Sequence, residues 1–527
     1  MPALPTAALD AMSRGRPSTL GDIIGDPAAA GAAGRFREPA GIRLGVVRGI
    51  SYGLFGKPDD SVAAAASTGA GLVRTYLYWS QVEPEPGRFV WDTVDAMLDQ
   101  IPEGQELWIT LCSSSRWGTR RSTDFQPQSP AIDNQAYREL VRRTVAHCAG
   151  RVRYWQCNNE PSNTDALWDG TAAEYVTELM VMHAAVREAD RSALVVLGGC
   201  GYDVLSSPPG SPPRLFFDHV IDAGRDHYDL FSVHLYGPAA TVPADIATVR
   251  AMMQTHGYLK PVVVGEYAGP VPFQYPQAEA AMQDALTAAF TEPAPDQSVA
   301  GLAEGAGTDT PERRAMAVLY RQLPDLPPQL QMFMAGCPAE LEAKRHRINS
   351  REVVTRAVLA LSAGVRRATY WDLAPEIAGW SDHLTFIDLM FGKLFLLDYR
   401  GGRLDLRYPA ADALTRFAGL LDGATTVAAA TVHGPDSVRS FRISRERRGD
   451  VIVIWDERDP FTGEDLPPTR IDLPWPARTA YAVDAFGQEV TTRVGAGAAQ
   501  LVVTPTPVYL AATRHSGLAD VLATASS

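Results

Sequence analysis

The sequence has few cysteines, and they form no pattern typical of a disulfide framework or a metal site. Its 527 residues include five, at Cys112, Cys148, Cys157, Cys200 and Cys337. Their number is odd, their spacing is wide and no Cys-x-x-Cys pair occurs. Scattered cysteines of this kind indicate reduced thiols, as in a cytoplasmic protein. We therefore expect neither disulfides nor a bound metal.

Long apolar runs and an excess of positive charge are also missing. No segment reaches the length of about eighteen uncharged apolar residues that a membrane-spanning helix needs. The N-terminus lacks a basic patch followed by an apolar stretch, so we expect no secretory signal. The net charge is −13, whereas nucleic acids and anionic membranes favour basic partners. The sequence predicts a cytoplasmic protein without a nucleic-acid or membrane partner, and it indicates nothing about oligomeric state.

Nucleotide-binding motifs are absent, and what the chain has instead is a repeated alternation. No Gly-x-Gly-x-x-Gly follows the first β-rich run and no P-loop occurs, so a nucleotide-binding sheet has no support. Eight apolar, β-rich runs alternate with helical patterns, at 42–53, 71–79, 106–114, 151–160, 192–201, 228–237, 260–269 and 366–376. Such alternation predicts a parallel sheet, and eight units favour an α/β fold of the (β/α)8 TIM-barrel type. A doubly wound open sheet is the alternative.

The composition changes along the chain and predicts its domains. Residues 1–40 are rich in Ala, Gly and Pro, which is typical of a poorly ordered or loosely docked segment. The barrel is expected at 41–423, with a long insertion at about 270–345 between the seventh and eighth strands. Short alternating runs separated by turn residues then predict a small antiparallel β-sandwich at 424–515. Residues 516–527 are a tail.

Charged and aromatic residues lie where the predicted strands end, which is where TIM barrels place their catalytic groups. Glu160 ends the fourth strand and Glu266 lies near the end of the seventh, three βα units later. Two carboxylates that flank a pocket lined with Trp and Tyr are suited to glycoside hydrolysis. The other strands and strand ends supply Arg74, Asn159, His234, Tyr236 and Trp371.

These segments resemble the glycoside hydrolases of clan A, retaining TIM-barrel enzymes with catalytic glutamates after strands 4 and 7. NNEP (158–161) resembles the Asn-Glu-Pro motif of that clan, and VVVGEYAG (262–269) resembles its nucleophile strand. SVHLYG (232–237) resembles the His-x-Tyr of strand 6, and TYWD (369–372) resembles the strand-8 Trp segment.

Within the clan, the chain is most similar to family 39. VRTYLYWSQVEPEPGRFVWD (73–92) resembles the strand-2 segment of that family, including its Arg. Cys112 stands where some other families, such as family 5, carry a His. The resemblance covers residues 42 to about 420, and a small C-terminal sandwich is a frequent companion in such families.

The resemblance implies a retaining glycoside hydrolase that works by double displacement and needs no cofactor. It implies that Glu160 is the acid/base and Glu266 the nucleophile. Arg74 and Tyr236 are candidates to hold Glu266 ionised, because a cation and a hydrogen bond favour the charged form. Asn159 is suited to hydrogen-bond the sugar 2-OH.

Further aromatic and polar side chains are candidates for sugar contacts. His234 and Trp371 are carried over from the clan motifs. Tryptophans on predicted loops can act as sugar platforms, because aromatic rings pack against the apolar faces of sugars. These are Trp117, Trp168 and Trp380.

The mode of action and two rival functions complete the prediction. The insertion can close one end of the groove, so we expect an exo-acting enzyme with oligosaccharides or small glycosides as its carbohydrate substrate. The alternatives are an endo-acting polysaccharide hydrolase of the same clan and a non-catalytic carbohydrate-binding protein on a TIM barrel. The second alternative would lack a catalytic glutamate. A metal-dependent TIM-barrel hydrolase would need a motif such as His-x-His in the first strand, and VVRGISYG has none.

Overall fold

Eight parallel strands close into a barrel and follow one another in sequence order. The computed structural model describes residues 40–164, 166–291, 310–375, 385–400 and 403–513. The barrel strands are β1 (Arg43–Val47), β2 (Leu72–Tyr78), β3 (Glu106–Cys112), β4 (Tyr154–Cys157), β5 (Leu194–Cys200), β6 (Leu230–Leu235), β7 (Val262–Tyr267) and β8 (Arg367–Tyr370). Each lies within one of the predicted runs, and β1 pairs with β8 to close the barrel. The prediction of a TIM barrel is therefore confirmed.

Helices connect the strands and cover the outside of the barrel. The described helices are α1 (Ser61–Ala64), α2 (Trp79–Val82), α3 (Asp92–Gln100), α4 (Asn134–His147), α5 (Ala172–Ala189), α6 (Tyr202–Ser206), α7 (Pro212–Ala223), α8 (Val242–Thr255), α9 (Pro276–Thr291), α10 (Pro311–Arg321), α11 (Pro328–Gln331), α12 (Ala339–Ser362), α13 (Phe386–Phe391) and α14 (Pro409–Leu420). In α4 the buried residues include Tyr137, Leu140, Val141 and Thr144, which is the spacing of one helical face. None of the described helices is long and apolar enough to cross a bilayer.

The amino-terminal half of the barrel interior is filled by side chains. Register neighbours such as Trp108 and Tyr154 face inward, and one cluster of buried residues fills this layer. Its members are Leu72, Trp108, Tyr154, Leu194, Val196, Leu230 and Val263. Because this layer is packed, a site in the barrel can open only at the carboxyl ends of the strands.

The long insertion after β7 is largely helical in its described part. Helices α9, α10 and α11 surround their own cluster of buried residues, including Met282, Met316 and Phe333. Leu389 of α13 and Phe461 of the C-terminal domain join the same cluster. The insertion therefore packs between the segment that follows β8 and the C-terminal domain.

The C-terminal domain consists of two antiparallel sheets, which confirms the predicted β-sandwich. A hairpin of β9 (Leu397–Arg400) and β10 (Arg403–Arg407), which the sequence did not predict, precedes α14. The sandwich strands are β11 (Ala424–Ala429), β12 (Val438–Arg445), β13 (Val451–Asp456), β14 (Thr469–Pro474), β15 (Tyr481–Asp484), β16 (Arg493–Gly495), β17 (Ala498–Val503) and β18 (Val508–Ala511). The larger sheet has the order β11-β12-β13-β18-β15 and the smaller one β14-β17-β16.

Two details connect the sandwich to its sequence and to the barrel. The last of the short alternating runs, LVVTPTPVYLAA (501–512), is divided between β17 and β18. Pro505 and Pro507 lie between the two strands, and a proline cannot donate a hydrogen bond to a strand ladder. Phe417 of α14 stacks on Tyr509 of β18, with ring centroids 6.3 Å apart. The larger sheet therefore packs against the barrel through α14.

Candidate active site

Glu266, on β7, lies among hydrogen-bond donors at the carboxyl end of the barrel. Arg74 Nη1 and the Tyr76 hydroxyl donate to its Oε1 over 2.6 and 2.8 Å. The Tyr236 hydroxyl donates to its Oε2 over 2.5 Å. Burial would raise the pKa of this carboxyl, but the charges of His234 and Arg74, together with the two tyrosine hydroxyls, lower it below its usual value. The geometry thus keeps Glu266 ionised.

Arg74 holds four strands together at this end of the barrel. It is fully buried, and besides Glu266 it donates to the Gly265 carbonyl over 2.9 Å and to Asn159 Oδ1 over 2.8 Å. Its Nε donates to Thr110 Oγ1 over 3.1 Å. The guanidinium fork can satisfy several acceptors in fixed directions, which a lysine could not do. Arg74 therefore sets the positions of the residues at the ends of β4 and β7.

The chain turns sharply after β4, and this turn explains how a carboxylate can end a buried strand. Asn158 and Glu160 both have positive φ, +51° and +40°. Asn158 tolerates the left-handed region, and its side chain is fixed by the Ser113 N–H and by Glu178 at 2.8 and 2.9 Å. A glutamate in this region is uncommon and costs free energy. The strained turn places Glu160 opposite Glu266.

Glu160 has fewer donors than Glu266, and its protonation tendency is the opposite. His234 Nδ1 lies 2.6 Å from its Oε1. Burial raises the pKa of Glu160, the nearby charges of Glu266 and Asp203 raise it further, and the interaction with His234 opposes the change without reversing it. The two carboxyls therefore differ: Glu160 favours the protonated form and Glu266 the ionised form.

His234 lies between the two glutamates in a space that requires glycine. Its Nδ1 is also 3.4 Å from Glu266 Oε2. A Cβ atom at Gly199 would lie 2.2 Å from His234 Nε2, and one at Gly265 would lie 3.0 Å from it. The contact from Gly199 would force the imidazole to move, and a Cβ at Gly265 would also lie 2.4 Å from Ser232 Oγ. The two glycines leave room for the ring between Glu160 and Glu266.

Among the described residues, Glu160, His234 and Glu266 are the one group close enough to hold a metal ion, with one ligand atom of each within 4.8 Å of the others. Arg74 already places a positive charge 2.6 Å from Glu266. A second cation there would be repelled by the guanidinium. The arrangement is better suited to moving a proton between its members.

A cavity of about 130 Å³ that is open to solvent lies beside the two glutamates. Tyr76, Asn159, Tyr236 and Trp371 line it together with Glu160 and Glu266. Trp371 follows β8, and its indole is partly buried at the wall of the cavity. Arg74 and His234 reach the same centre from below through their contacts with the glutamates. The structure thus brings together the seven residues proposed from the strands and strand ends, out of ten proposed from the sequence.

Of the three tryptophans proposed as sugar platforms, Trp117 lies away from the cavity. Its indole donates to the Glu83 carbonyl over 2.9 Å and packs edge-on against Trp79, with centroids 5.3 Å apart. It does not line the cavity. Trp168 is fully buried and packs against Tyr175. Trp380 lies outside the described residues.

Sequence reasoning missed three parts of this site. Tyr76 donates to Glu266, and its signal was its position two residues after Arg74, because residues two apart in a strand share a face. Gly199 has no signal of its own, since the need for glycine depends on a ring that comes from another strand. The third part is the segment around α13, which lines the cavity after β8.

No protein-family model matches the sequence, and no curated protein is significantly similar to it. Among solved structures, the chain is similar to a family 39 glycoside hydrolase from the gut symbiont Bacteroides cellulosilyticus WH2, with a TM-score of 0.56 and 14% identity. That similarity covers 90% of this chain and 81% of that chain. A monomeric beta-xylosidase from Caulobacter crescentus CB15 has a TM-score of 0.52 and 14% identity, over 90% of this chain and 97% of that chain. The resemblance to family 39 is therefore confirmed in the fold.

Proposed function

We propose that the protein is a retaining glycoside hydrolase that cleaves O-glycosidic bonds by double displacement. The observation that carries this proposal is that two glutamates of one cavity have pKa values shifted in opposite directions. The pKa of Glu160 is raised and that of Glu266 is lowered. Two carboxyl groups with such different environments provide an acid and a nucleophile. The same fold, shared with glycoside hydrolases, supports this assignment.

The separation of the glutamates favours retention of configuration. One oxygen of Glu160 and one of Glu266 lie within 4.8 Å of each other. Retaining enzymes hold their carboxyl groups about 5–5.5 Å apart, whereas inverting enzymes need about 6.5–9.5 Å to admit a water molecule between carboxylate and sugar. The narrow gap supports attack by Glu266 itself on the anomeric carbon.

Each step has a residue in position. Glu160 donates its proton to the glycosidic oxygen while Glu266 bonds to the anomeric carbon, and the leaving group departs as an alcohol. Glu160, now ionised, then takes a proton from water, whose oxygen bonds to the anomeric carbon and releases Glu266 and the sugar. Asn159 is oriented for the sugar, because Arg74 holds its Oδ1 and leaves its Nδ2 as the donor for the 2-OH.

We further infer that the enzyme is exo-acting on oligosaccharides or small glycosides. The support comes from the wall that the segment after β8 forms at the cavity. None of the described residues of the insertion at 270–345 lines the cavity, but Glu312 of α10 accepts from the Phe386 N–H over 2.7 Å. The insertion thus braces the wall instead of forming it. An endo-acting enzyme would need a cleft open at both ends, and a binding protein on this fold would not need both glutamates.

The five cysteines support the cellular location that we propose. All five are free, and four of them are buried. Free buried thiols fit a reducing compartment. We infer a cytoplasmic enzyme with a carbohydrate as its substrate partner and no nucleic-acid or membrane partner.

A fluorinated glycoside with a slow second step tests the mechanism directly. After a panel of nitrophenyl glycosides has identified the sugar, intact-mass analysis of the protein should show one covalent sugar, and peptide analysis should place it on Glu266. The Glu83→Gln variant is a matched control. Glu83 is also a largely buried glutamate, but it contacts Trp117 and does not line the cavity. It should label like the unmodified protein. A label on another residue would contradict the assignment.

The exo mode has its own measurement. With an oligosaccharide labelled at its reducing end, the first labelled product should be one sugar shorter than the substrate, and unlabelled monosaccharide should appear from the earliest times. Early labelled fragments several sugars shorter than the substrate, formed without monosaccharide, would contradict a closed pocket and support endo cleavage.

A further inference from the structure

The cavity has two chemically different parts. Around the glutamates the lining is polar, and Tyr76, Asn159 and Tyr236 are all engaged in the hydrogen-bond network of that centre. Three other polar side chains line the cavity: Gln126, Asp372 and Asp388. Of these three, Asp388 lies on α13 next to Ile387, so one polar side chain belongs to the segment after β8.

The rest of the described lining is apolar. It consists of Ile50 after β1, Leu167 after β4, and five residues after β8: Pro375, Ile387, Phe391, Gly392 and Phe395. The Phe391 ring packs against Tyr236 and Trp371, with centroids 5.2 and 6.3 Å apart. The apolar lining therefore begins next to the catalytic centre.

Ile387 shows the direction in which this lining extends. It is 37% exposed and is the most exposed of these lining residues. The apolar lining of α13 therefore extends from Phe391, next to the catalytic centre, to Ile387 at the solvent-exposed edge of the cavity.

The apolar wall is held in place by several hydrogen bonds. Thr385 caps α13 by accepting from the Asp388 N–H, and the Leu394 carbonyl accepts from the buried Tyr370 hydroxyl over 2.8 Å. The Leu396 N–H donates to the Asp372 carbonyl over 3.0 Å. A wall fixed in this way can select substrates, because its shape is formed before the substrate binds.

We propose that the leaving group of the natural substrate is a hydrocarbon or aryl group instead of a second sugar. This inference rests on the proposed function and names its substrate class: glycosides of apolar alcohols. In an exo-acting pocket the sugar occupies the polar floor, so the leaving group occupies the part lined by Ile387, Phe391 and Phe395. A second sugar there would place most of its hydroxyl groups against side chains that cannot hydrogen-bond, with Asp388 as the one polar side chain among the described residues of the wall, and this costs free energy. An alkyl or aryl group would be stabilised by the same side chains.

A series of alkyl glycosides tests this directly. With the sugar found by the nitrophenyl panel, kcat/KM is measured for the methyl, butyl and hexyl glycosides and for a disaccharide with the same non-reducing sugar. All the leaving groups are alcohols without activation, so their chemistry is similar. We expect kcat/KM to rise about two- to fourfold for each methylene that enters the wall, and the hexyl glycoside to exceed the disaccharide.

Two substitutions tie the effect to the wall. Ile387→Ser should reduce the dependence on chain length, and its exposed position makes it a safe change for folding. Leu404→Ser is the matched control, because Leu404 is 45% exposed on β10 and does not line the cavity. It should leave the series unchanged.

The outcomes separate the two proposals. Hydrolysis of the whole series with no dependence on chain length, or with the disaccharide as the best substrate, would overturn the inference while leaving the proposed function intact. No turnover of any glycoside, with no label on Glu266, would overturn both.

Discussion

Each end of the barrel holds a buried arginine paired with a glutamate, and the two pairs differ in their surroundings. At the carboxyl end Arg74 Nη1 lies 2.6 Å from Glu266. At the amino end Arg367 donates to Glu106 from Nε and Nη2 over 2.6 and 2.9 Å. The amino-end pair has two parallel hydrogen bonds between guanidinium and carboxylate, whereas the carboxyl-end pair has one. By this geometry alone, the amino-end pair is the stronger of the two.

The two pairs differ in the residues around them and in the space beside them. The Tyr154 hydroxyl adds a third hydrogen bond to Glu106, and neither Glu106 nor Arg367 lines the cavity. Glu266 instead borders the cavity of about 130 Å³ and lies opposite Glu160, a carboxyl whose pKa is shifted in the opposite direction. An ion pair away from the cavity positions strands, and the same kind of pair beside a cavity and a second acid can do chemistry.

The largest expected effect separates the two glutamates at the carboxyl end. Glu266→Ala should lower activity on every glycoside by roughly 10⁴-fold or more, because the covalent step is lost. Glu160→Ala should lose about 10²- to 10⁴-fold on alkyl glycosides, but far less on dinitrophenyl glycosides, which leave without a proton. Azide should restore turnover in Glu160→Ala and give a glycosyl azide. If Glu160→Ala is equally inactive on dinitrophenyl substrates and azide has no effect, the roles are wrong.

A smaller effect should appear in the pH profile. The proposed mechanism requires Glu266 ionised and Glu160 protonated, so kcat/KM should rise as pH passes the lowered pKa of Glu266 and fall as pH passes the raised pKa of Glu160. Tyr76→Phe removes a hydrogen bond that lowers the pKa of Glu266, so the rising limb should move to higher pH. Loss of a hydrogen bond to a charged group should also reduce kcat/KM about 10- to 100-fold.

Tyr154→Phe is the control for that profile at the other end of the barrel. It also removes a tyrosine hydrogen bond to a glutamate paired with arginine, the 2.9 Å contact with Glu106. The rising limb should stay where it is. A shift of equal size in Tyr154→Phe would show that the change follows from general loosening of the barrel.

The sequence was sufficient for the barrel and for most of its centre, for a physical reason. Buried strands of a parallel sheet are continuous apolar runs, and their ends share one face, so Glu160 and Glu266 could be placed together without coordinates. Contacts that depend on the orientation of side chains from different strands could not be predicted from the sequence. Tyr76 follows from strand periodicity once Arg74 is fixed, but the fit of Gly199 against His234 joins two strands, and no local pattern encodes it.

The closed pair at the amino end should affect stability and leave catalysis intact. Glu106→Gln weakens the hydrogen bonds of Arg367 and should lower the free energy of unfolding by about 1–3 kcal/mol. The loss stays in this range because the Glu106 side chain is 20% exposed, so solvent partly compensates for the lost charge. The value of kcat/KM should remain within about twofold, because this end of the barrel is separated from the cavity by the packed layer. Urea unfolding and steady-state kinetics measure the two quantities. The exposed Glu103 provides a control in Glu103→Gln, which should change neither.

The smallest effect is expected at Trp117, where the sequence and the structure point to different roles. A sugar platform would lose binding in Trp117→Phe, because the smaller ring covers less of the sugar face. In the structure the indole instead donates to the Glu83 carbonyl, so its loss should cost about 0.5–1.5 kcal/mol of stability and leave KM unchanged. Trp371→Phe, at the wall of the cavity, should raise KM or lower kcat under the same conditions. A tenfold rise in KM for Trp117→Phe with unchanged stability would show that the loop carrying Trp117 reaches the substrate, and that the polar floor continues beyond the residues assigned to it.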